Sequence, residues 1–299
     1  VKRFIWILLF TLTLSACNEG QSLAAEGTEM TAKTNVKINL GQPINDLLDN
    51  SPHPFEEDCL AHVGLCWYEI KKRFAEADLP SVTVFQNDTL LLALDDVGRV
   101  SAVVDETQGR LVEQVTLSVR GLPDNSLHSE QKGFVYQLLN TLLGSGWTHF
   151  YRFPAARISG ADAHKIVVPD EVMGMRVIAH PWFDPRYEAS LEQWLSAGST
   201  YHWFFYQSGI YLHVSVQRSN SRDAPAERGT YLIKMELQTE LAYWPQHFSE
   251  EDQSDWRKLM PALLEQYAQQ RAKLEREAEA AGIKIEDSYR DPAIKLLGE

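Results

Sequence analysis

The sequence predicts an α+β fold in which antiparallel sheets are each covered by amphipathic helices. Three observations carry that expectation. Short runs rich in Val, Leu, Thr and aromatic residues alternate in hydropathy with period two. Turns containing Asn, Asp and Gly separate them. Two longer stretches, 126–143 and 249–280, carry apolar residues at helical spacing. Composition agrees, since 44% hydrophobic and 23% charged residues over 299 positions is ordinary for a globular chain.

The first residues stand outside this scheme. Lys2 and Arg3 precede an uncharged apolar run, Phe4 to Thr13, and small residues then lead to Cys17. That pattern reads as a secretory signal over 1–16, and its apolar core is shorter than the roughly 20 residues of a membrane span. Leu14-Ser15-Ala16-Cys17 resembles the lipobox of bacterial lipoproteins. The resemblance implies cleavage before Cys17, acylation of its thiol, and a lipid bilayer as the first partner. In enteric-type lipoproteins an aspartate after the cysteine favours the inner membrane; Asn18 here implies the outer membrane, facing the periplasm. Residues 17–35 are then the lipidated N-terminus and a flexible tether, rich in Gly, Ser, Ala, Thr and Glu without hydrophobic period.

Two more cysteines remain, Cys59 and Cys66. In a chain bound for an oxidising compartment an even pair this close predicts a disulfide. A metal site drawing on His53 and His62 is the alternative, but the spacing matches no zinc pattern. No metal and no cofactor is expected.

A first α+β unit is expected over 36–168. Val36 to Leu40 reads as a strand, Ile44 to Leu48 as a short helix, and Trp67 to Ala77 as a helix with Trp67, Ile70 and Phe74 on one face. A β meander follows over Val82–Phe85, Leu90–Leu94, Val100–Val104 and Leu111–Val119. Asp95 and Asp96 sit in its turn chemistry without the further ligands of a calcium loop. A helix ending at Leu143 presents Phe134, Val135, Leu138, Leu139, Leu142 and Leu143, and Gly144 and Gly146 stop it.

The second unit, 169–299, repeats the order of short helix, strands and long helix. Asp184-Pro185-Arg186 leads to a helix over Tyr187–Leu195, and strands follow at Tyr201–Gln207, Ile210–Arg218 and Thr230–Tyr243. Ser249 with Asp252 is a capping box for a last helix, which Pro261 should kink and whose Gln269–Ala280 end should be solvated. The layout is distantly similar to small lipoproteins of outer-membrane assembly and to envelope immunity modules, with no diagnostic motif for either.

The candidate binding surface is the hairpin around Ser208-Gly209. Pairing through that turn sets Trp203, Phe205, Ile210, Leu212, Val214 and Val216 on one face, as core. The other face carries His202, Phe204, Tyr206, Tyr211 and His213. Two readings stand there. The last helix or segment 147–181 covers the rings as a second core layer, or the face is an open patch for a protein or glycan, with both histidines titrating near neutral pH.

Net charge is −13, and cleavage before Cys17 removes two cations and no acid. So acidic a surface disfavours nucleic acid and suits a basic partner. No nucleophile elbow, zinc-protease helix, phosphate loop or dinucleotide fingerprint occurs, and no catalytic residue is assigned. The expectation is a membrane-anchored periplasmic lipoprotein that binds a protein, as an immunity-type toxin inhibitor or an assembly factor. An envelope hydrolase acting on peptidoglycan or lipid is the alternative, since a carboxylate pair need not be near in sequence.

Overall fold

The structure, a computed structural model, describes residues 34–166, 171–172, 175–176 and 181–298. The signal, Cys17 and most of the tether lie outside the described residues. The fold is α+β. In chain order come β1 (Asn35–Asn39), α1 (Ile44–Asn50), β2 (Glu56–Leu60), β3 (Leu65–Lys71), β4 (Ser81–Gln86), β5 (Thr89–Leu94), β6 (Val97–Asp105) and β7 (Gln114–Val119). Then follow β8 (Ser126–Leu127), α2 (His128–Gly144), β9 (Thr148–His149), β10 (Glu171–Val172), β11 (Met175–Arg176) and α3 (Leu191–Ser196). The chain continues with β12 (Thr200–Gln207), β13 (Ile210–Asn220), β14 (Arg228–Thr239), α4 (Glu240–Tyr243) and α5 (Trp256–Ala280).

The expected helix at Trp67–Ala77 is a strand instead. Cys66, Tyr68 and Ile70 point inward at 3%, 2% and 4% exposure, a period of two that outweighs the helical match of Trp67, Ile70 and Phe74. β3 pairs with β2 in a hairpin whose directly opposed residues Cys59 and Cys66 form the expected disulfide, with Cα atoms 4.1 Å apart. All five residues of β2 are exposed, so little packing holds this strand. The short loop it closes is worth about 2 kcal/mol by the chain-entropy argument. Replacing both cysteines by serine is therefore expected to lower the unfolding free energy by that amount, read from urea denaturation, without changing the fold.

The meander is divided between two sheets. β4 and β5 turn on Asn87 and Asp88, both at positive φ, and join β1, which runs parallel to β4. β6 and β7 enter a larger sheet in the order β2-β3-β6-β7-β14-β13-β12-β9, with β8 alongside β14. Asp95 and Asp96 serve the crossing between the sheets: Ser81 Oγ donates to Asp95 Oδ1 at 2.5 Å, and Arg120 N–H to the Asp96 carbonyl at 2.9 Å.

The division at 168/169 does not separate two units. β7 pairs antiparallel with β14 from Gln114↔Gln238 to Val119↔Ile233, so strands from both halves share one sheet. The described residues form one compact body. One hydrophobic core unites the small sheet, the inner face of the large sheet and the buried stripe of α2, Val135, Leu139 and Leu142. Trp147 fastens α2's end to the small sheet by donating Nε1–H to the Leu91 carbonyl at 2.9 Å.

The expected helix at Tyr187–Leu195 is shorter and starts later. Ser190 caps it, accepting the Gln193 N–H at 3.2 Å, while Gln193 Oε1 accepts the Ser190 N–H at 2.8 Å. Ser249 and Asp252 are hydrogen-bonded at 2.9 Å, but helix α5 itself opens at Trp256 and runs unbroken through Pro261. Its far end is less solvated than expected. Arg271, Leu274 and Ala278 are buried, the last against Ile158, Ile283 and Ile285.

Candidate functional site

The hairpin forms in the expected register. Ser208 and Gly209 both take positive φ (56° and 97°), the conformation of a two-residue turn that matches strand twist. Gln207 faces Ile210, Tyr206 faces Tyr211 and Phe204 faces His213. Trp203, Phe205, Ile210, Leu212, Val214 and Val216 belong to the main core.

The opposite face is covered at one end. Tyr211 is buried and stacks on Tyr243 with ring centroids 3.9 Å apart. Phe150, Trp244, Trp256 and Met260 complete that cluster, with Phe204 and Tyr206 packed at its margin. Both segments named in the core-layer reading contribute to this cover: α5 through Trp256 and Met260, and the stretch after β9 through Phe150 and Phe153.

Cover gives out at His202 and Phe204, which line a cleft of about 240 Å³. Its other walls are Tyr151, Arg152 and Phe153 from the stretch after β9, and Phe183 and Asp184 from the turn after Pro181. His202 Nδ1 and His213 Nε2 are hydrogen-bonded at 2.9 Å, and Phe204 stacks on His213 with centroids 4.6 Å apart. Burial pushes His202 down to about 4 and His213 down to about 3, and the nearby Arg152 charge adds to both. The expected titration near neutrality is thus corrected: the pair shares one hydrogen bond as two neutral rings.

The floor of the cleft is an ionic network that the sequence did not reveal. Asp184 is 3% exposed, and Arg186 donates Nε–H to its Oδ1 at 2.9 Å and Nη2–H to its Oδ2 at 3.0 Å. Burial raises the Asp184 carboxyl, but Arg186 and His149 together hold it below its ordinary value. Arg186 also donates to both oxygens of Glu286 at 2.8 and 2.9 Å and to the Tyr151 hydroxyl at 3.0 Å. His149 lies 3.6 Å from Asp184, yet its burial outweighs that charge and brings it down to about 4. From α5, Arg271 donates to the carbonyls of Ala155 and Tyr151 at 2.9 and 3.2 Å. The cleft wall is therefore pinned at several points.

Sequence reasoning missed His149, Arg152 and Asp184 because the last two lie in irregular chain and His149 ends a two-residue strand too short to show a period. The Asp184-Pro185-Arg186 triplet was the only local signal, and it was read as the lead-in to a helix. A second cavity, about 470 Å³, opens between Trp67, Val103 and Gln114 on the large sheet and Pro245, Trp256 and Arg257. Glu113 at its edge is raised by burial, against a hydrogen bond from Thr239.

The metal alternative gains no ligands. Among the described residues, Glu57, Cys59 and Cys66 cluster closely enough to hold an ion, but both sulfurs are joined in the disulfide. His53 is hydrogen-bonded to Thr34 at 2.5 Å, and His62 lies in the exposed turn of the β2–β3 hairpin. Compared with known protein families, curated proteins and solved structures, the chain matches none.

Proposed function

We propose that this is a lipid-anchored protein of the bacterial envelope whose folded body binds another protein. The observation that carries the reading is Leu14-Ser15-Ala16-Cys17 behind a charged, apolar leader. The Cys59–Cys66 disulfide on an exposed hairpin supports an oxidising compartment. Among the described residues no helix is long and apolar enough to cross a membrane, so attachment is assigned to the lipid. Immunity to a toxin and assistance in envelope assembly are the two forms this binding takes, and a net charge of −13 favours a basic partner for either.

Within the aromatic cleft the geometry gives the hydrolase alternative less support. Asp184 is the carboxylate among the described residues lining the aromatic cleft, and Arg186 clamps it in the ionised form, unsuited to donating a proton. Cys17→Ser is expected to abolish palmitate labelling and to move the protein from the membrane pellet to the soluble fraction. Affinity purification from detergent-solubilised membranes is expected to recover one stoichiometric protein partner. A Cys17→Ser form that still pellets with membranes overturns the anchor. Turnover of cell-wall fragments or phospholipid that disappears in Asp184→Asn overturns the binding role.

A further inference from the structure

We propose that the cleft beside β12 binds an organic carboxylate carried on a flat or apolar stem, with Arg152 as its counter-charge. The inference goes beyond the protein-binding reading, because neither the anchor nor a particular partner enters it.

The other arginines of this chain set the contrast. Arg157 and Arg271 are, like Arg152, withdrawn from solvent, Arg110 is partly so, and each of the three meets a carboxylate: Glu275 at 2.6 Å, Asp291 at 2.6 Å and Glu106 at 3.2 Å. Arg218 is buried without one, but its guanidinium donates to the carbonyls of Trp194 and Leu195 and to the Tyr201 hydroxyl. Arg152 differs from all four. Half-buried, its guanidinium lies 4.9 Å from the Phe204 ring centroid and has the Tyr243 hydroxyl as a neutral partner, with no ion pair to a carboxylate among the described residues. In a chain with 41 acids and 28 Lys and Arg, acids are plentiful. A partly desolvated cation left without one is an expensive arrangement that an anion from outside would relieve.

The surroundings narrow the anion. Phe153, Phe183 and Phe204 supply aromatic walls, so the stem next to the charge is apolar or flat. A volume of about 240 Å³ holds a side chain or a single ring, short of the roughly 300–1,000 Å³ of drug-sized sites. One guanidinium matches one carboxylate in its planar fork, whereas phosphate recognition gathers several donors. The histidines add no second charge, since burial keeps His149 and His202 neutral.

The test uses the full chain in mild detergent, titrated by calorimetry with benzoate, benzyl alcohol, inorganic phosphate and the capped dipeptide acetyl-Phe-Glu-amide. Benzoate is expected to bind about tenfold or more tightly than benzyl alcohol, which shares its ring without the charge. Arg152→Gln should erase that preference, Arg152→Lys should keep part of it, and Arg290→Gln, at an exposed site, should leave it intact. The benzoate-to-alcohol ratio in the unaltered protein needs no variant, so a folding defect in Arg152→Gln does not blunt the test. A dipeptide that outcompetes benzoate identifies the carboxylate as a side chain on another protein; the reverse order identifies a free acid. Equal binding of benzyl alcohol, displacement of benzoate by equimolar phosphate, or no saturable benzoate binding overturns the proposal.

Discussion

Arg186→Met is expected to lower the unfolding free energy by about 3–4 kcal/mol, the cost of leaving one member of a buried ion pair uncompensated. Asp184 is almost fully enclosed, and the same guanidinium also holds Glu286 and the Tyr151 hydroxyl, so one substitution releases three groups. Arg186 itself is partly exposed, which lets water hydrate the vacated site and keeps the loss below the upper end for such pairs. The double variant Asp184→Asn with Arg186→Met should recover most of the stability, because the orphaned charge is then gone. Urea denaturation of the three variants measures this. A loss under 1 kcal/mol in the single variant would show that the network contributes geometry and little energy.

Acid is expected to destabilise the fold well before its carboxylates titrate. His149 and His202 have folded values of about 4, and His213 of about 3, all lowered from 6.5 chiefly by burial. Between pH 6.5 and 4 the unfolded chain binds protons at these rings that the folded chain refuses, so stability falls as pH is lowered through that window. His202 and His213 share a hydrogen bond and are partly exposed, so their shifts do not add fully. A combined loss on the order of 3–5 kcal/mol by pH 4 is expected. Below that pH, protonation of Asp184 and Glu275, whose folded values are lowered, removes more. Replacing both His202 and His213 with Gln should flatten the slope between pH 6.5 and 4. A stability curve already flat there in the unaltered protein would contradict the burial of these rings.

What the sequence disclosed and what it concealed divide along a physical line. The Ser208-Gly209 hairpin, helix α2 and the Cys59–Cys66 pair were legible because turn chemistry, helical period and cysteine spacing are local signals. Trp67–Ala77 was misread because the short run holding Trp67, Tyr68 and Ile70 satisfies both periods, and the pairing of β3 with β6 decided between them. The separation into two units failed for a similar reason: the contact between β7 and β14 joins Ser118 to Lys234, a distance no local pattern encodes. The cleft was concealed most fully, since Arg152, Asp184 and His202 come from three separate segments. Only the aromatic and histidine rim on β12 and β13 could be assigned in advance, and there the structure splits the face between core and cleft.

The junction of β7 with β14 also constrains the order in which the molecule comes into being. As the chain emerges from the N-terminus, β2, β3, β6 and β7 can pair, but β7 then presents a bare edge until β14, beginning at Arg228, has emerged. Non-local closure of this kind is slow, and an open strand edge recruits other chains in the interval. Nascent copies are thus exposed to premature association from the completion of Val119 until β14 follows at Arg228, and an escort that shields hydrophobic strands would act on β7 in that interval.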